Sequence, residues 1–165
     1  MTKKKNKTKI SNSQTPTIRN KRGLYNYSVI SNFEAGISLK GGEVKSIRNS
    51  QITIHESYAK IEHGEVWLHN LHITKPLSDS TDWETLRKRK LLLHKKEIRK
   101  ILQELNTNPA FTLIPVKMYF SRGKIKIEIA LASGKKKFDK RETIKKREIT
   151  RSMQSQLKKS INKFN

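Results

Sequence analysis

A β-hairpin in the last third of the chain constrains the fold most strongly. Its second strand, Lys124–Ser133, has an apolar residue at every second position, the period of a strand with one buried face: Ile125, Ile127, Ile129 and Leu131. Its first strand, Thr112–Phe120, has the same period, which predicts one shared face for Ile114, Val116, Met118 and Phe120. The turn falls at Ser121-Arg122-Gly123. Pro115 cannot donate to a hydrogen-bond ladder, so an edge or a bulge is predicted there.

Three further strands are predicted earlier in the chain. The first, Tyr25–Leu39, changes its apolar phase after Val29 and is interrupted by Gly36, which indicates a bulge or a strong bend. The other two form a hairpin with its turn at His63-Gly64: Ser57–Ile61 and Glu65–Ile73. Little polar face remains in the last of these strands, which predicts a strand covered on both sides.

Two helices are predicted between the strands. The first follows Gly41-Gly42 and carries apolar and basic residues on separate faces: Val44 and Ile47, and Lys45 and Arg48. The second is predicted to begin near His94, because Glu97 three residues later completes a capping box, and to stop at Pro109. Its apolar face is predicted to contain Ile98, Ile101, Leu102 and Leu105.

Five strands, with a helix inserted before the last pair, predict a mainly β fold with flanking helices. The expected class is a small OB-fold-like closed or partly open β-barrel, and an α+β sandwich is the alternative. Charge sets the expected boundaries, because the net charge of +23 lies mostly in the two flanks. We expect a disordered basic arm at 1–19, an RNA-binding barrel at 20–133 and a basic tail at 134–165.

The residue types argue against several classes of function. The chain has no Cys, so neither a disulfide framework nor a thiolate site is available. No apolar run approaches the roughly 20 residues of a membrane span, and the N-terminus lacks a signal-peptide core, so a cytoplasmic location is expected. His69 and His72 fall on opposite faces of a predicted strand, and no metal site is expected. No nucleophile elbow or P-loop supports an enzyme.

Binding to a polyanion is the function that the charge favours. Basic residues occur in most segments: Lys21 and Arg22, Lys45 and Arg48, Arg87–Lys90, Lys124 and Lys126. The densest cluster ends the last strand and includes a ring on which a base can stack: Gly134, Lys135, Lys136, Lys137, Phe138, Asp139, Lys140 and Arg141. A solvated basic linker is the alternative for this cluster, and RNA is favoured over DNA as the partner.

Seven short motifs resemble the SsrA-binding protein family, also called small protein B. They are FEAG at 33–36, LKGGEVKSIR at 39–48, SYA at 57–59, GEVWL at 64–68, RKLLLH at 89–94 with Glu97, GKK at 134–136 and DKR at 139–141. The resemblance covers about 20–147 in family order and spacing. It implies a barrel of six strands rather than five. It also implies binding of transfer-messenger RNA and its delivery to stalled ribosomes for trans-translation, without catalysis or a cofactor.

The resemblance also implies binding residues in the barrel. The tRNA-like part of the RNA would be held by Asn20, Lys21, Arg22, Glu34, Leu92 and Lys126 and, within LKGGEVKSIR, by Glu43, Lys45 and Arg48. Glu34 can accept hydrogen bonds from a guanine edge or ribose hydroxyls, and Lys126 suits a phosphate. Leu92 packs either on an exposed base or in the core. At 23–25 many members have Ala-Arg-His where this chain has Gly-Leu-Tyr, and Phe138 stands where some have His or Tyr.

The family's tail enters the empty messenger channel near the small-subunit decoding region and folds there as a helix. In this chain an apolar residue recurs every four positions, which predicts a narrow helical stripe: Ile149, Met153, Leu157 and Ile161. We expect a tail that is disordered in the free monomer and helical on the ribosome. The alternatives to this function are a ribosomal or initiation-factor-like protein that binds ribosomal RNA directly, and an RNA-processing enzyme.

Overall fold

The computed structural model describes residues 16–76, 83–136, 148–149 and 151–154 of the 165-residue chain. Its strands in chain order are β1 (Ile18–Arg19), β2 (Tyr27–Ile37), β3 (Ile52–Thr53), β4 (Tyr58–Glu62), β5 (Glu65–His69), β6 (His72–Ile73), β7 (Arg89–Leu92), β8 (Phe111–Ser121) and β9 (Lys124–Gly134). Its helices are a 3₁₀ helix (Gly23–Asn26), α1 (Gly41–Arg48) and α2 (Lys95–Thr107).

Six of these strands close into a ring. Their order is β8–β4–β5–β7–β2–β9, and β9 pairs with β8 to complete the circle, always antiparallel. Strand β1 pairs with the same edge of β8 that pairs with β4. Strands β3 and β6 form a separate two-stranded sheet. The predicted mainly β, OB-fold-like class is confirmed. A closed ring leaves few unpaired strand edges, which protects a small β protein from edge-to-edge association.

The residue pattern alone missed one strand of the ring, β7. This strand has four residues, two of them cations, so neither its length nor an apolar period marks it in the sequence. It fills the gap between β5 and β2, where Leu91 pairs with Val66 and Leu92 pairs with Gly36. The ring therefore has the six strands that the family resemblance implies.

Two predicted irregularities are confirmed as register shifts. In β2 the shift lies between Val29 and Ser31, and in β8 it lies between Pro115 and Lys117. The second shift makes one prediction wrong. Ile114 does not share a face with Met118, because the extra residue inverts the alternation, and Leu113 joins Met118 in the core instead. The predicted inward face of β9 is correct: Ile125, Ile127, Ile129 and Leu131 all belong to the core.

Both predicted hairpin turns have positive φ at their two central residues. The values are 51° and 76° at His63 and Gly64, and 48° and 75° at Arg122 and Gly123. Such turns match the right-handed twist of the flanking strands. The predicted strand Glu65–Ile73 is wrong in two respects. It divides into β5 and β6, because Asn70 adopts a φ of 55°, and β5 buries only one face, with Trp67 half-buried.

The two helices occupy the predicted positions. Helix α1 buries Ile47 and exposes Lys45 and Arg48. Helix α2 follows His94, whose backbone N–H donates to Glu97 Oε2 at 2.9 Å, as the capping-box pattern predicts. Ile101 is completely buried, and Ile98 and Leu105 pack beside it. Leu102 is 42% exposed, so its assignment to the apolar face is wrong.

The ordered chain extends beyond the expected barrel boundaries by a few residues. Ile18 and Arg19 pair with Met118 and Lys117, and β9 continues to Gly134. In the described ranges no helix is long and apolar enough to cross a membrane.

Candidate nucleic-acid interface

One outer surface of the ring brings together side chains from distant parts of the chain, and we call it the outer strip. Directly opposed residues of paired strands lie on the same face of a sheet. A first row of such pairs runs across four strands as Leu92, Gly36, Lys126 and Tyr119. A second row runs beside it as Glu34, Glu128, Lys117 and Arg19. Three predicted binding residues, Glu34, Leu92 and Lys126, therefore share one surface.

The carboxylate of Glu34 is held by two donors on the outer strip. The hydroxyl of Tyr119 donates to Oε2, and the ammonium of Lys126 donates to Oε1. The hydrogen bond from Lys126, followed by that from Tyr119, holds the pKa of Glu34 below its ordinary value. The same carboxylate raises the pKa of Tyr119 to about 12. At neutral pH the strip thus presents an ionised carboxylate in a defined orientation, with its tyrosine donor protonated.

Tyr119 is a residue of this site that the sequence reasoning missed. Its ring also lies beneath Lys117, whose Nζ is 5.4 Å from the ring centroid and 2.8 Å from Glu128 Oε2. The signal was available in the hairpin register, because Tyr119 is the residue directly opposite Lys126. The residue pattern placed Tyr119 on the face opposite Met118, but it could not show the contact with Glu34, 85 positions away.

Leu92 is an exposed apolar residue beside these charges. Its side chain is 54% exposed, so of the two possibilities for this residue the structure shows the surface position and not core packing. It lies over Gly36, where an added Cβ would come within 3.3 Å of the Leu92 Cβ. The absence of a side chain at Gly36 lets Leu92 lie close to the sheet as an apolar platform.

Asn20, one of the predicted RNA contacts, is buried in this structure and holds the chain in position. Only 1% of the residue is exposed. Its Nδ2 donates to Pro115 O at 2.8 Å, and its Oδ1 accepts from Gly23 N at 2.8 Å. Asn20 therefore satisfies a carbonyl at the β8 bulge and fixes the turn that exposes the next two residues, Lys21 and Arg22.

Glu43, another of the predicted RNA contacts, has no exposed surface in this structure. Arg87 Nε donates to Oε1 at 3.0 Å, Arg89 Nε donates to Oε1 at 2.9 Å, and Lys40 N donates to Oε2 at 2.7 Å. Burial by itself would raise the pKa of Glu43. The hydrogen bonds from Arg87, Lys40 and Arg89 outweigh that effect and hold the pKa below its ordinary value. The glutamate of LKGGEVKSIR is therefore part of an internal ion-pair network.

The basic run Arg87–Lys90 is neutralised within the protein. Arg89 is fully buried and also donates to the carbonyls of Leu71, Thr85 and Arg87. Lys88 pairs with Glu62 at 2.8 Å, and Lys90 pairs with Glu65. All four cations have acidic partners, so this run contributes less free charge to an interface than its sequence indicates.

The other predicted binding residues are not part of the two paired rows that form the outer strip. Lys45 and Arg48 are exposed on α1, whose Ser46 hydroxyl donates to Thr74 O at 2.6 Å and ties that helix to the segment after β6. Gly134 ends β9, and Lys135 N donates to Asn26 O at 2.8 Å, while Lys136 is exposed. The remaining tail residues of the cluster lie outside the described residues: Lys137, Phe138, Asp139, Lys140 and Arg141.

Two short pieces of the tail are described, at 148–149 and 151–154, and both are helical. Ile149 and Met153, the first two residues of the apolar stripe, are 52% and 58% exposed. Within the described part of the chain, no group of three or more His, Asp or Glu residues is arranged to hold a metal ion.

A closed ring of antiparallel strands with cations, an oriented carboxylate and an apolar platform on one outer surface is the architecture of a small RNA-binding β protein. The chain belongs to the SmpB protein family, whose sequence model matches residues 17–159. It is 46% identical to the SsrA-binding protein of Trichodesmium erythraeum (strain IMS101), over 84% of this chain and 90% of that protein. It is 48% identical to the SsrA-binding protein of Chlorobium luteolum (strain DSM 273 / BCRC 81028 / 2530), over 89% and 94% of the two chains.

A solved structure is also similar. It is described as "tmRNA-SmpB: a journey to the center of the bacterial ribosome", and it matches with a TM-score of 0.62 and 42% sequence identity. The match covers 74% of this chain and 86% of that one.

Proposed function

We propose that this chain binds transfer-messenger RNA and delivers it to stalled ribosomes for trans-translation. The observation that carries the proposal is the outer strip, which joins Glu34, Leu92 and Lys126 across three strands. These are residues that the family resemblance selects as contacts of the tRNA-like part of the RNA. The similarity to SsrA-binding proteins and to a tmRNA–SmpB structure supports the same partner.

Each group on the strip has a distinct chemical part in this binding. The Glu34 carboxylate accepts hydrogen bonds from a base edge or from ribose 2′-hydroxyls, which phosphate-binding cations cannot do. Leu92 packs on an exposed base. Lys126 binds a phosphate, as do Lys21 and Arg22 at the end of β1 and Lys45 and Arg48 on α1. The function is binding without catalysis, and it takes place in the cytoplasm.

The RNA that the full-length protein retains from cells tests this function. Sequencing of co-purified RNA is expected to give one dominant species with a tRNA-like end. A predominance of ribosomal RNA would instead support the ribosomal-protein alternative. Cleaved or modified RNA after incubation would support an RNA-processing enzyme.

The tail provides a second test, which separates RNA binding from activity on the ribosome. We propose that residues 134–141 anchor the tail and that the stripe beginning at Ile149 and Met153 folds as a helix in the messenger channel. A chain ending at Lys137 should bind its RNA nearly as well as the full chain but fail to start tagging. Met153→Pro should have the same effect, because proline breaks a helix. Full tagging by Met153→Pro would refute this role.

A further inference from the structure

The exposed side of α2 has a charge that neither the outer strip nor the tail accounts for. Four cations lie within six residues in the first two turns: Lys95, Lys96, Arg99 and Lys100. At 100° per residue they fall within an arc of roughly 140°, and all four are exposed. The opposite side carries Ile98, Ile101 and Leu105, which pack on the core. We call the four cations the α2 basic face.

We propose that the α2 basic face binds backbone phosphates of duplex RNA next to the RNA held on the outer strip. This inference rests on the proposed function only for which RNA is bound. Contacts between cations and an RNA backbone do not depend on which RNA is bound.

The four cations of the α2 basic face have no acidic partner within the described part of the chain. Among the residues that the structure describes, no carboxylate forms an ion pair with any of the four. The two acids of α2 do not neutralise them. Glu97 is committed to the helix cap, and Glu104, one turn after Lys100 and half-buried, forms no ion pair with it in the described structure. The charge on this face is therefore available to an external anion.

The arrangement of these cations is unfavourable for the helix alone. A helix dipole favours cations in the last turn, yet the last turn of α2 has none and the cations occupy the first half. Lys95 and Arg99, and Lys96 and Lys100, are also like charges four residues apart, which repel one another. An anionic partner on this face removes both penalties.

The α2 basic face begins close to the outer strip in the chain. Leu92 on the outer strip is three residues before Lys95, so the two lie within about 10 Å along the chain. Farther along α2 there is an open groove of about 450 Å³. It is lined by Arg99 and by four uncharged residues, Leu102, Gln103, Asn106 and Thr107. Amides and hydroxyls there can meet ribose hydroxyls and phosphate oxygens. These groups add neutral polar surface beside the α2 basic face.

The side chains of α2 favour a duplex over a single strand. No residue of α2 is aromatic, and base stacking on aromatic rings is the usual means of holding single-stranded RNA. Duplex RNA is recognised mainly through phosphates and 2′-hydroxyls, which suits a face of cations and neutral polar groups. Contacts of this kind add affinity but no sequence preference.

Salt-dependent binding of the full-length protein tests the inference. The test variant combines Lys95→Gln, Lys96→Gln, Arg99→Gln and Lys100→Gln, since glutamine keeps helix propensity. A paired comparison uses Arg99→Gln with Lys100→Gln against a control with Arg151→Gln and Lys60→Gln. The control removes the same two charges from exposed positions outside the outer strip and α2.

The probe is the tRNA-like RNA, with an unrelated RNA hairpin of equal length as the second ligand. The slope of log K against log salt is expected to become shallower by roughly 0.7–0.9 for each phosphate that is no longer neutralised, so by up to about 3 in the fourfold variant. At 0.1 M salt each such phosphate corresponds to a roughly 5-fold weaker binding. The affinity of the fourfold variant for both RNAs should fall by the same factor. Its melting temperature should be at or above that of the wild type. Arg99→Lys should keep the wild-type slope.

A fourfold variant with the wild-type slope overturns the inference, and so does a control pair that changes the slope as much as the test pair. Neither result affects the proposed function. Conversely, a wild-type protein that does not prefer the tRNA-like RNA over the hairpin contradicts the proposed function, while the slopes still decide the role of α2.

Discussion

The two halves of one basic stretch, Leu86–Lys100, are used in opposite ways. In the first half, Arg87–Lys90, every cation is paired with an acid, and Arg89 is fully buried with Glu43. In the second half, the α2 basic face, all four cations are exposed, and none has an acidic partner among the described residues. Similar residue types, in two sets separated by only the four residues 91–94, thus hold the ring together in one case and face solvent in the other.

The difference comes from where the acids lie in space. Strand β7 enters the ring between β5 and β2, next to Glu62, Glu65 and Glu43. Helix α2 leaves the ring and turns one side to solvent, where no acid faces it in the described structure. A basic run in a sequence therefore has no functional meaning until its distance from the acids is known.

The largest effect that separates the two halves is expected from Arg89→Met. The substitution leaves the buried Glu43 without one of its two arginine partners and removes donors from three carbonyls. We therefore expect a loss of about 3–5 kcal/mol in the free energy of unfolding. Arg99→Met on α2 is the matched control and should change it by less than about 0.5 kcal/mol. Denaturant melts of both variants give the comparison. Equal losses in the two variants would contradict the division of the stretch.

Glu34→Ala is expected to affect RNA binding strongly and folding very little. Glu34 is exposed and is oriented by Tyr119 and Lys126, whereas Glu43 is buried and accepts hydrogen bonds from two arginines. The affinity for the tRNA-like RNA should fall roughly tenfold, because a charged hydrogen-bond acceptor is removed. Affinity for unrelated RNA should stay the same or increase, because a negative charge is removed. Equal tightening for both RNAs would exclude Glu34 as a specificity contact.

A smaller effect concerns acid stability. Glu43 has a folded-state pKa below 4.5, so it stabilises the fold fully above that pH, and the contribution is lost as pH falls from about 4.5 toward the folded-state pKa. We expect the free energy of unfolding to fall in that window, with a slope of up to about 1.4 kcal/mol per pH unit from this group. The NMR titration of the Glu43 carboxyl in the wild type checks it directly. A midpoint above 4.5 would show that burial outweighs the arginines.

The smallest effect is expected from Lys88→Gln. Lys88 is paired like its neighbours, but its side chain is 54% exposed and its ammonium also lies 5.2 Å from the Trp67 ring centroid. Exposed ion pairs contribute little, because water and salt screen them. We expect no measurable change in the denaturant midpoint. A clear loss would mean that pairing at the rim of the ring is as important as the buried pair of Arg89.

The local features of this protein can be read from its residue pattern alone. Alternation predicted β9 and its buried face, turn residues predicted both hairpin turns, and Glu97 predicted the start of α2. These signals are readable because side-chain period, turn conformation and capping depend on residues only a few positions apart. The family motifs, also local in sequence, identified the family.

Which polar residues face outward depends instead on contacts between distant parts of the chain. Asn20 reaches Pro115 across 95 positions, Glu43 reaches Arg87 across 44, and Tyr119 reaches Glu34 across 85. The order of strands in the ring sets these distances, and a single bulge at Pro115 reverses the face of the residues beyond it. Burial and ion pairing depend on such long-range neighbours, because a charge is neutralised by whatever acid the fold brings near it, not by what adjoins it in sequence.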